Sequence, residues 1–211
     1  MSLKNLSVAN KTPNHLKNNL INKRINQIYK KFEKSFEPKT NFIVGVSGGA
    51  DSLALAFLTK LYSYRNKISA KYFIVDHKLR KESSSESAKV KRILKSININ
   101  SEILIWKGKK PQKNIQSIAR KKRYDLLFSK CKQLKINNIV LGHHIDDLLE
   151  NFFLRMIRGS GLKGLVSLGK KTQIKKISLL RPLLNFNKSD LLFISKNVFN
   201  FYVDGPSNHD V

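Results

Sequence analysis

A loop rich in glycine and hydroxyl groups follows the first strongly apolar run of the chain. The run at 42–46 leads directly into Ser47, Gly48, Gly49, Ala50, Asp51 and Ser52. Glycine lets the backbone turn tightly and approach a ligand closely, and the start of the following helix offers amide groups and a positive dipole end. Such helix starts bind phosphate. The stretch therefore predicts a phosphate-binding loop; the alternative is an ordinary Gly-Gly turn between a strand and a helix.

Asp51 places a carboxylate where a phosphate would bind. The two negative groups would repel each other unless a cation lies between them, so we interpret Asp51 as a ligand of Mg²⁺ that bridges a polyphosphate. No Gly-Lys-Ser/Thr follows the glycines, and the Gly-x-Gly-x-x-Gly pattern is also missing. The loop is therefore neither a Walker A loop nor a dinucleotide-binding loop.

Two further polar clusters follow later apolar runs. Asp76 and His77 come after the second run, and the fourth run leads into Gly142, His143, His144, Asp146, Asp147 and Glu150. Asp146 and Glu150 are four residues apart and share one helix face. In a chain with 14 acids against 41 Lys and Arg, such a cluster suits Mg²⁺ and a cationic substrate. The simpler alternatives are a turn cap for Asp76, a structural histidine, and a solvated helix start at 146–150.

The elements that must position these clusters alternate along the chain. Apolar runs predict strands at 41–46, 71–77, 101–106, 137–144 and 177–183. Periodic patterns predict helices at 15–34, 51–64, 83–97, 114–134, 146–158 and 188–199. This order predicts an α/β fold, a parallel five-stranded sheet with helices on both faces. Because ligands of such sheets bind beyond the carboxyl ends of the strands, the three clusters should converge.

Charge and cysteine content limit the class of protein. The formal net charge of +27 favours a polyanionic partner such as RNA, although a lysine-rich compositional bias would explain part of it. The single cysteine, Cys131, cannot form an intrachain disulfide or hold a metal cluster by itself. This fits a reducing cytoplasm. No apolar run is long enough to span a bilayer, so no membrane partner is expected.

The loop at 47–52 resembles the PP-loop of ATP pyrophosphatases, which split ATP between the α and β phosphates. Further stretches at 75–80, 114–124, 141–165, 181–184 and 204–210 follow in order. Together they are similar to the catalytic domain of the tRNA(Ile)-lysidine synthase family, over about residues 40 to 210. The resemblance implies a Rossmann-like fold of the adenine nucleotide alpha hydrolase type. It also implies a ligase that joins free L-lysine to C2 of the wobble cytidine of isoleucine tRNA with a CAU anticodon. The reaction would pass through an adenylated cytidine and release AMP and PPi.

The resemblance also implies roles for individual residues. ATP and its Mg²⁺ would be bound by Ser47, Gly48, Gly49, Ala50, Asp51, Ser52, Asp76, His77 and Gly142, with Asp51 on the metal. The catalytic set would be Asp51, His143, Asp146, Asp147 and Glu150, in which the acids at 146–150 bind the lysine ammonium and one is the general base. The tRNA would be contacted by Arg120, Arg123, Arg155 and Arg158; an exposed basic face is the alternative for Arg120 and Arg123.

We expect residues 1–14 to form a flexible basic arm and residues 15–211 a single PP-loop catalytic domain, without the C-terminal tRNA-binding domains of many family members. The resemblance also allows a homodimer. Two other classes stay open. One is another PP-loop enzyme, of the tRNA-thiolation or NAD/GMP-synthetase type, although thiolation would need paired cysteines and this sequence has one. The other is an inactive RNA- or nucleotide-binding domain.

Overall fold

The computed structural model describes residues 14–108, 111–143 and 169–203. Its helices are α1 (Asn14–Ile21), α2 (Lys23–Ser35), α3 (Ala50–Arg65), α4 (Ser83–Ser96), α5 (Ile115–Leu134) and α6 (Lys188–Phe199). Its strands are β1 (Phe42–Val46), β2 (Ala70–Asp76), β3 (Ser101–Ile105), β4 (Asn138–Leu141), β5 (Lys171–Ile174) and β6 (Ile177–Leu180). The helix predicted at 146–158 lies outside the described residues.

The strands form one sheet in the order β3-β2-β1-β4-β6-β5. The five predicted strands are confirmed, and they run parallel to one another. The sixth strand, β5, pairs antiparallel with β6 at the edge of the sheet. It was not predicted, because most of its residues are exposed and its sequence, KTQI, contains no apolar run.

The N-terminal helical segment is two helices and not the single helix predicted at 15–34. Asn22 separates them, and its side-chain oxygen accepts hydrogen bonds from the amides of Arg24 (3.0 Å) and Ile25 (3.2 Å). Asparagine at this position caps the amide groups that a helix start leaves unsatisfied. The apolar spacing continues through the break, so periodicity alone did not reveal it.

Helices cover both faces of the sheet, as predicted. A larger core joins one face of β1 and β2 to α2, α3, α4 and α6, and Phe32, Phe57 and Phe186 are among its fully buried side chains. A smaller core packs the other face against α5 through Leu127 and Cys131. Strand β1 is buried along almost its whole length, as expected for the centre of a parallel sheet. Within the described ranges, no helix is long and apolar enough to cross a membrane.

Candidate active site

The loop between β1 and α3 is organised around the hydroxyl of Ser52. Its Oγ accepts hydrogen bonds from the amides of Ser47 (3.2 Å) and Gly48 (3.0 Å), lies 3.1 Å from Ser47 Oγ, and donates to the Gly49 carbonyl at 2.9 Å. Ser52 is buried, whereas Ser47 is exposed at the loop surface. Ser52 thus fixes the shape of the loop from inside, and Ser47 carries the loop hydroxyl that is exposed at the surface.

Gly48 lies in a position that only glycine fills without strain. Its φ of +93° is in the region that L residues with side chains avoid, and a Cβ atom there would lie 2.5 Å from Val90 Cγ2 and 3.1 Å from Val203 Cγ2. The Gly48 carbonyl also accepts a hydrogen bond from the Val203 amide at 2.9 Å. The loop is therefore held by α4 on one side and by residues 201–203 on the other.

The start of α3 is suited to an anion. Gly49 occupies the N-cap and has no side chain to cap the helix, so the first-turn amides depend on backbone partners or a ligand. Asp51 lies in this first turn and is partly buried. An acid beside anion-binding amides fits Mg²⁺, which prefers one or two carboxylates together with phosphate oxygens.

The end of β4 lies directly against this helix start. A Cβ atom on Gly142 would lie 3.1 Å from Ser52 Cα and 3.2 Å from the Ser52 amide nitrogen, so the missing side chain lets the two segments approach closely. His143 follows and is partly buried. The structure thus brings together two of the three predicted clusters, although they are about ninety residues apart in sequence.

Asp76, at the end of β2, is engaged by the loop that follows it. Its carboxylate accepts hydrogen bonds from the Lys78 amide (2.9 Å), Ser83 Oγ (2.8 Å) and Ser84 Oγ (2.7 Å), and its side chain is almost fully buried. Burial raises the pKa of Asp76, but these hydrogen bonds, with the charge of Lys78, outweigh it and lower the pKa below its ordinary value. The side chain therefore holds the β2–α4 loop as a turn cap does.

His77 lies on the opposite face of the sheet from Asp76, towards α5. Burial, aided by the positive charge of Arg123 and opposed by Asp76, lowers the pKa of His77 from its ordinary 6.5 to about 4. Both ring nitrogens are buried, and neither has a hydrogen-bond partner in the described part of the chain. A pKa of about 4 keeps His77 neutral at pH 7, so its ring has one donor and one acceptor nitrogen.

Arg123 is partly buried beside this histidine and does not belong to an exposed basic face. Burial lowers the pKa of Arg123, Tyr124 opposes that effect, and the neighbouring charge of Arg120 adds to it. Arg120 is also partly buried. The N-terminal half of α5 therefore brings concentrated positive charge to the edge of the sheet where the loop lies.

The other predicted site residues lie outside the described residues. They are Asp146, Asp147, Glu150, Arg155 and Arg158.

Two contacts around the site, and one buried arginine, had no local signal in the sequence. Ser195 of α6 donates a hydrogen bond to the Ala50 carbonyl at 2.5 Å, and Val203 binds Gly48 as described above. Arg181, directly after β6, is 5% exposed. It belongs to the Arg-Pro-Leu-Leu stretch seen in the sequence, to which no role was assigned. Sequence separation hides such contacts, because they join elements that only the fold brings together.

A parallel sheet whose central strand feeds a glycine loop and an anion-binding helix start defines a nucleotide-binding α/β domain. The sequence matches the PP-loop domain family over residues 17–211. The chain therefore belongs to the PP-loop domain family of ATP-binding proteins.

Curated relatives are similar over most of this chain. It is 38% identical over 175 residues to the tRNA(Ile)-lysidine synthase of Orientia tsutsugamushi, which is 83% of this chain and 40% of that protein. It is 39% identical over 170 residues to the tRNA(Ile)-lysidine synthase of Wolbachia pipientis wMel, which is 80% of this chain and 39% of that protein. The chain thus spans about two fifths of the length of these relatives.

A solved structure supports the fold. The U34-tRNA thiolase NcsA from Methanococcus maripaludis, determined with its 4Fe-4S cluster, superposes with a TM-score of 0.73 at 20% identity. The match covers 89% of this chain and 68% of the thiolase. At this identity the likeness shows a common architecture and not a common reaction.

Proposed function

We propose that this chain is the adenylating and ligating domain of a lysidine-forming enzyme. It would join the side-chain amine of free L-lysine to C2 of the wobble cytidine in isoleucine tRNA with a CAU anticodon. One ATP would be consumed, and AMP and PPi would be released. The observation that carries this proposal is the 38% identity to a tRNA(Ile)-lysidine synthase over 83% of the chain, a span that includes most of the described sheet.

In the first step the loop at 47–52 would bind the phosphates of ATP. The amides at the α3 start and the Ser47 hydroxyl would hold the β and γ phosphates, while the buried Ser52 keeps the loop in shape. Asp51 would hold Mg²⁺, and the charge of the metal would stabilise the departing PPi. The cytidine O2 would attack the α phosphorus, and the bond from phosphorus to the bridging oxygen of PPi would break.

In the second step the lysine amine would attack C2 of the activated base. The C2–O bond would break and AMP would leave with the former cytidine oxygen. The amine must lose a proton to act as a nucleophile, and the acids Asp146, Asp147 and Glu150 would bind the ammonium and accept that proton. His143, placed after Gly142 beside the α3 start, would lie next to the base.

The adenosine would lie towards β2 and α5. His77 offers a neutral ring with two unsatisfied nitrogens, and Asp76 keeps the intervening loop in place. The tRNA would approach the same edge, attracted by the net charge of +27 and contacted by Arg120, Arg155 and Arg158. Because Arg123 is partly buried beside His77, we place it nearer the nucleotide than the tRNA surface.

We also propose that residues from about 15 onward act as one catalytic domain after a basic arm. Such an enzyme would work in the cytoplasm, where its tRNA is made, and a homodimer is one assembly to test. Thiolation is not favoured as an alternative. Cys131 is the one cysteine of the chain, it is buried, and burial raises its pKa to about 11, so it supplies no reactive thiolate at neutral pH.

The test uses radiolabelled lysine, ATP and Mg²⁺ with two tRNAs. Isoleucine tRNA with a CAU anticodon should accept label, and methionine tRNA with the same anticodon should not. Asp51→Asn should abolish both PPi release and labelling. The matched control Asp190→Asn, which removes a surface ion pair with Arg24, should leave both intact.

The outcomes separate the three candidate classes. PPi release without lysine transfer would indicate an adenylating enzyme with a different acceptor. Binding of both tRNAs that weakens steeply with salt, with no PPi release, would indicate a non-catalytic RNA-binding domain.

A further inference from the structure

Arg181 is a buried cation that pairs with no carboxylate in the part of the chain that the structure describes. It is 5% exposed, and its Nη1 donates to the Gly169 carbonyl at 3.1 Å and to Thr172 Oγ1 at 2.8 Å. Its Nε is buried and has no hydrogen-bond partner. Across residues 14–108, 111–143 and 169–203, no carboxylate lies within ion-pair distance of it.

The two hydrogen bonds of Arg181 do not compensate its buried positive charge. Both acceptors are neutral, and a glutamine amide could satisfy a backbone carbonyl and a threonine hydroxyl as well. A buried guanidinium without an anion is strongly unfavourable, because the charge loses its hydration and gains no ion pair. A residue of this kind is expected where an anion arrives with a ligand.

The fold places Arg181 at the carboxyl ends of the parallel strands, where ligands of such sheets bind. It directly follows Leu180, which pairs with Val140 of β4, two residues before Gly142. Side chains alternate along a strand, so Arg181 faces the same side as Leu179, towards the smaller core under α5. Strand β6 is two strands from β1, so Arg181 is about 10 Å across the sheet from Gly45, two residues before the phosphate loop begins.

The position of Arg181, buried and away from the phosphate loop, limits which anion it could bind. The phosphates of ATP belong at the 47–52 loop on β1, and a phosphate of the tRNA backbone would need an exposed arginine. A carboxylate carried by a small substrate fits a buried guanidinium, because the two groups form paired, charge-assisted hydrogen bonds. In the proposed reaction the lysine amine must reach the base activated beside the loop, and the four methylenes of lysine carry its carboxylate away from that point, across the sheet.

We propose that Arg181 binds the α-carboxylate of the amino-acid substrate and so selects an amino acid over a simple amine. This inference rests on the proposed function, because it takes lysine as the substrate. Lysine would then be held by its carboxylate on Arg181, with its side-chain amine reaching towards the base activated beside the loop at 47–52. The site would reject 1,5-diaminopentane, which has the same amine and carbon chain but no carboxylate.

The test measures binding of radiolabelled lysine and 1,5-diaminopentane by equilibrium dialysis, with a non-hydrolysable α,β-methylene ATP and Mg²⁺ present. The unmodified chain should bind lysine about 10- to 100-fold more tightly than the diamine, the range expected for hydrogen bonds to a charged group. Arg181→Gln should remove that preference and leave diamine binding unchanged. Thr172→Ala, which removes one acceptor of Arg181 and keeps its charge, should retain the preference.

Each outcome bears on a different statement. If the unmodified chain binds both amines equally, or if Arg181→Gln keeps the preference, the carboxylate role is wrong and the proposed function stands. If Arg181→Gln instead weakens only the ATP analogue, the anion is a nucleotide phosphate and the inference is likewise wrong. If the ATP analogue binds but neither amine does, lysine is not the substrate, and the inference fails with the proposed function. If Arg181→Gln does not fold, the unmodified chain is tested with lysinamide, which lacks the carboxylate charge. Equal binding of lysinamide and lysine would refute the role of Arg181.

Discussion

Replacing Gly48 with alanine tests whether the loop depends on its unusual backbone. A side chain at φ +93° costs about 1–2 kcal/mol. The new Cβ would lie 2.5 Å from Val90 Cγ2, so the packing of α4 must shift, which costs about 1–3 kcal/mol more. We therefore expect Gly48→Ala to lower the free energy of unfolding by about 2–5 kcal/mol, a large part of what a domain of this size has.

Urea denaturation measures this loss, and binding of an ATP analogue measures its effect on the loop. Gly49→Ala is the matched control, because φ there is −66° and the nearest atom to its Cβ would be Ser47 Oγ at 3.8 Å. It should cost under about 1 kcal/mol in stability. Adding Val90→Ala to Gly48→Ala should recover part of the packing cost and none of the backbone cost, which a double-mutant cycle separates. Equal stability of the Gly48 and Gly49 variants would refute the argument.

Four further predictions concern the surroundings of the loop. Ser52→Ala should lower the free energy of unfolding by about 1–3 kcal/mol, since buried loop amides lose their acceptor; an unchanged urea midpoint would contradict this. Asp76→Ala should cost about 3 kcal/mol at pH 7. Because the folded pKa of Asp76 is depressed, that difference should shrink as the pH falls below about 4. The pKa of His77 is also depressed, so the folded state resists its protonation, and the free energy of unfolding should fall as the pH drops from about 6.5 to about 4. His77→Gln should flatten that slope, and an NMR titration should find the pKa of His77 near 4. Gly142→Ala should cost about 1–3 kcal/mol and raise the KM for ATP, because its Cβ would lie 3.1 Å from Ser52 Cα and the start of α3 would have to shift by a few tenths of an ångström.

The centre of the sheet could be predicted because most residues of strands β1, β2 and β4 are buried. Phe42–Val46 and Ala70–Asp76 are nearly continuous apolar segments between helical patterns. Such segments are typical of buried parallel strands. Strand β5 lacks that signal, because an exposed edge strand needs no apolar face. The break at Asn22 was missed for a related reason, since a cap interrupts the backbone without interrupting the apolar spacing.

The approach of two of the predicted clusters could be predicted, but the contacts of their side chains could not. The order of strands and helices was enough to bring 47–52 and Gly142 together. The sequence left Asp76 open between a ligand and a turn cap, and only the positions of Ser83 and Ser84 show what its carboxylate binds. Burial of Arg123 depends on how α5 packs on the sheet, and a pattern of charges along a helix does not specify that.

The central claim is that the loop activates the tRNA base by transferring AMP to its O2, and that lysine then displaces AMP. Isoleucine tRNA carrying a heavy oxygen isotope at C2 of the wobble cytidine tests this directly, with the isotope followed into AMP by mass spectrometry. The account predicts that the labelled oxygen appears in AMP, one for each lysine joined. Lysine joined to the tRNA with unlabelled AMP, or AMP formed with oxygen from water, would contradict it.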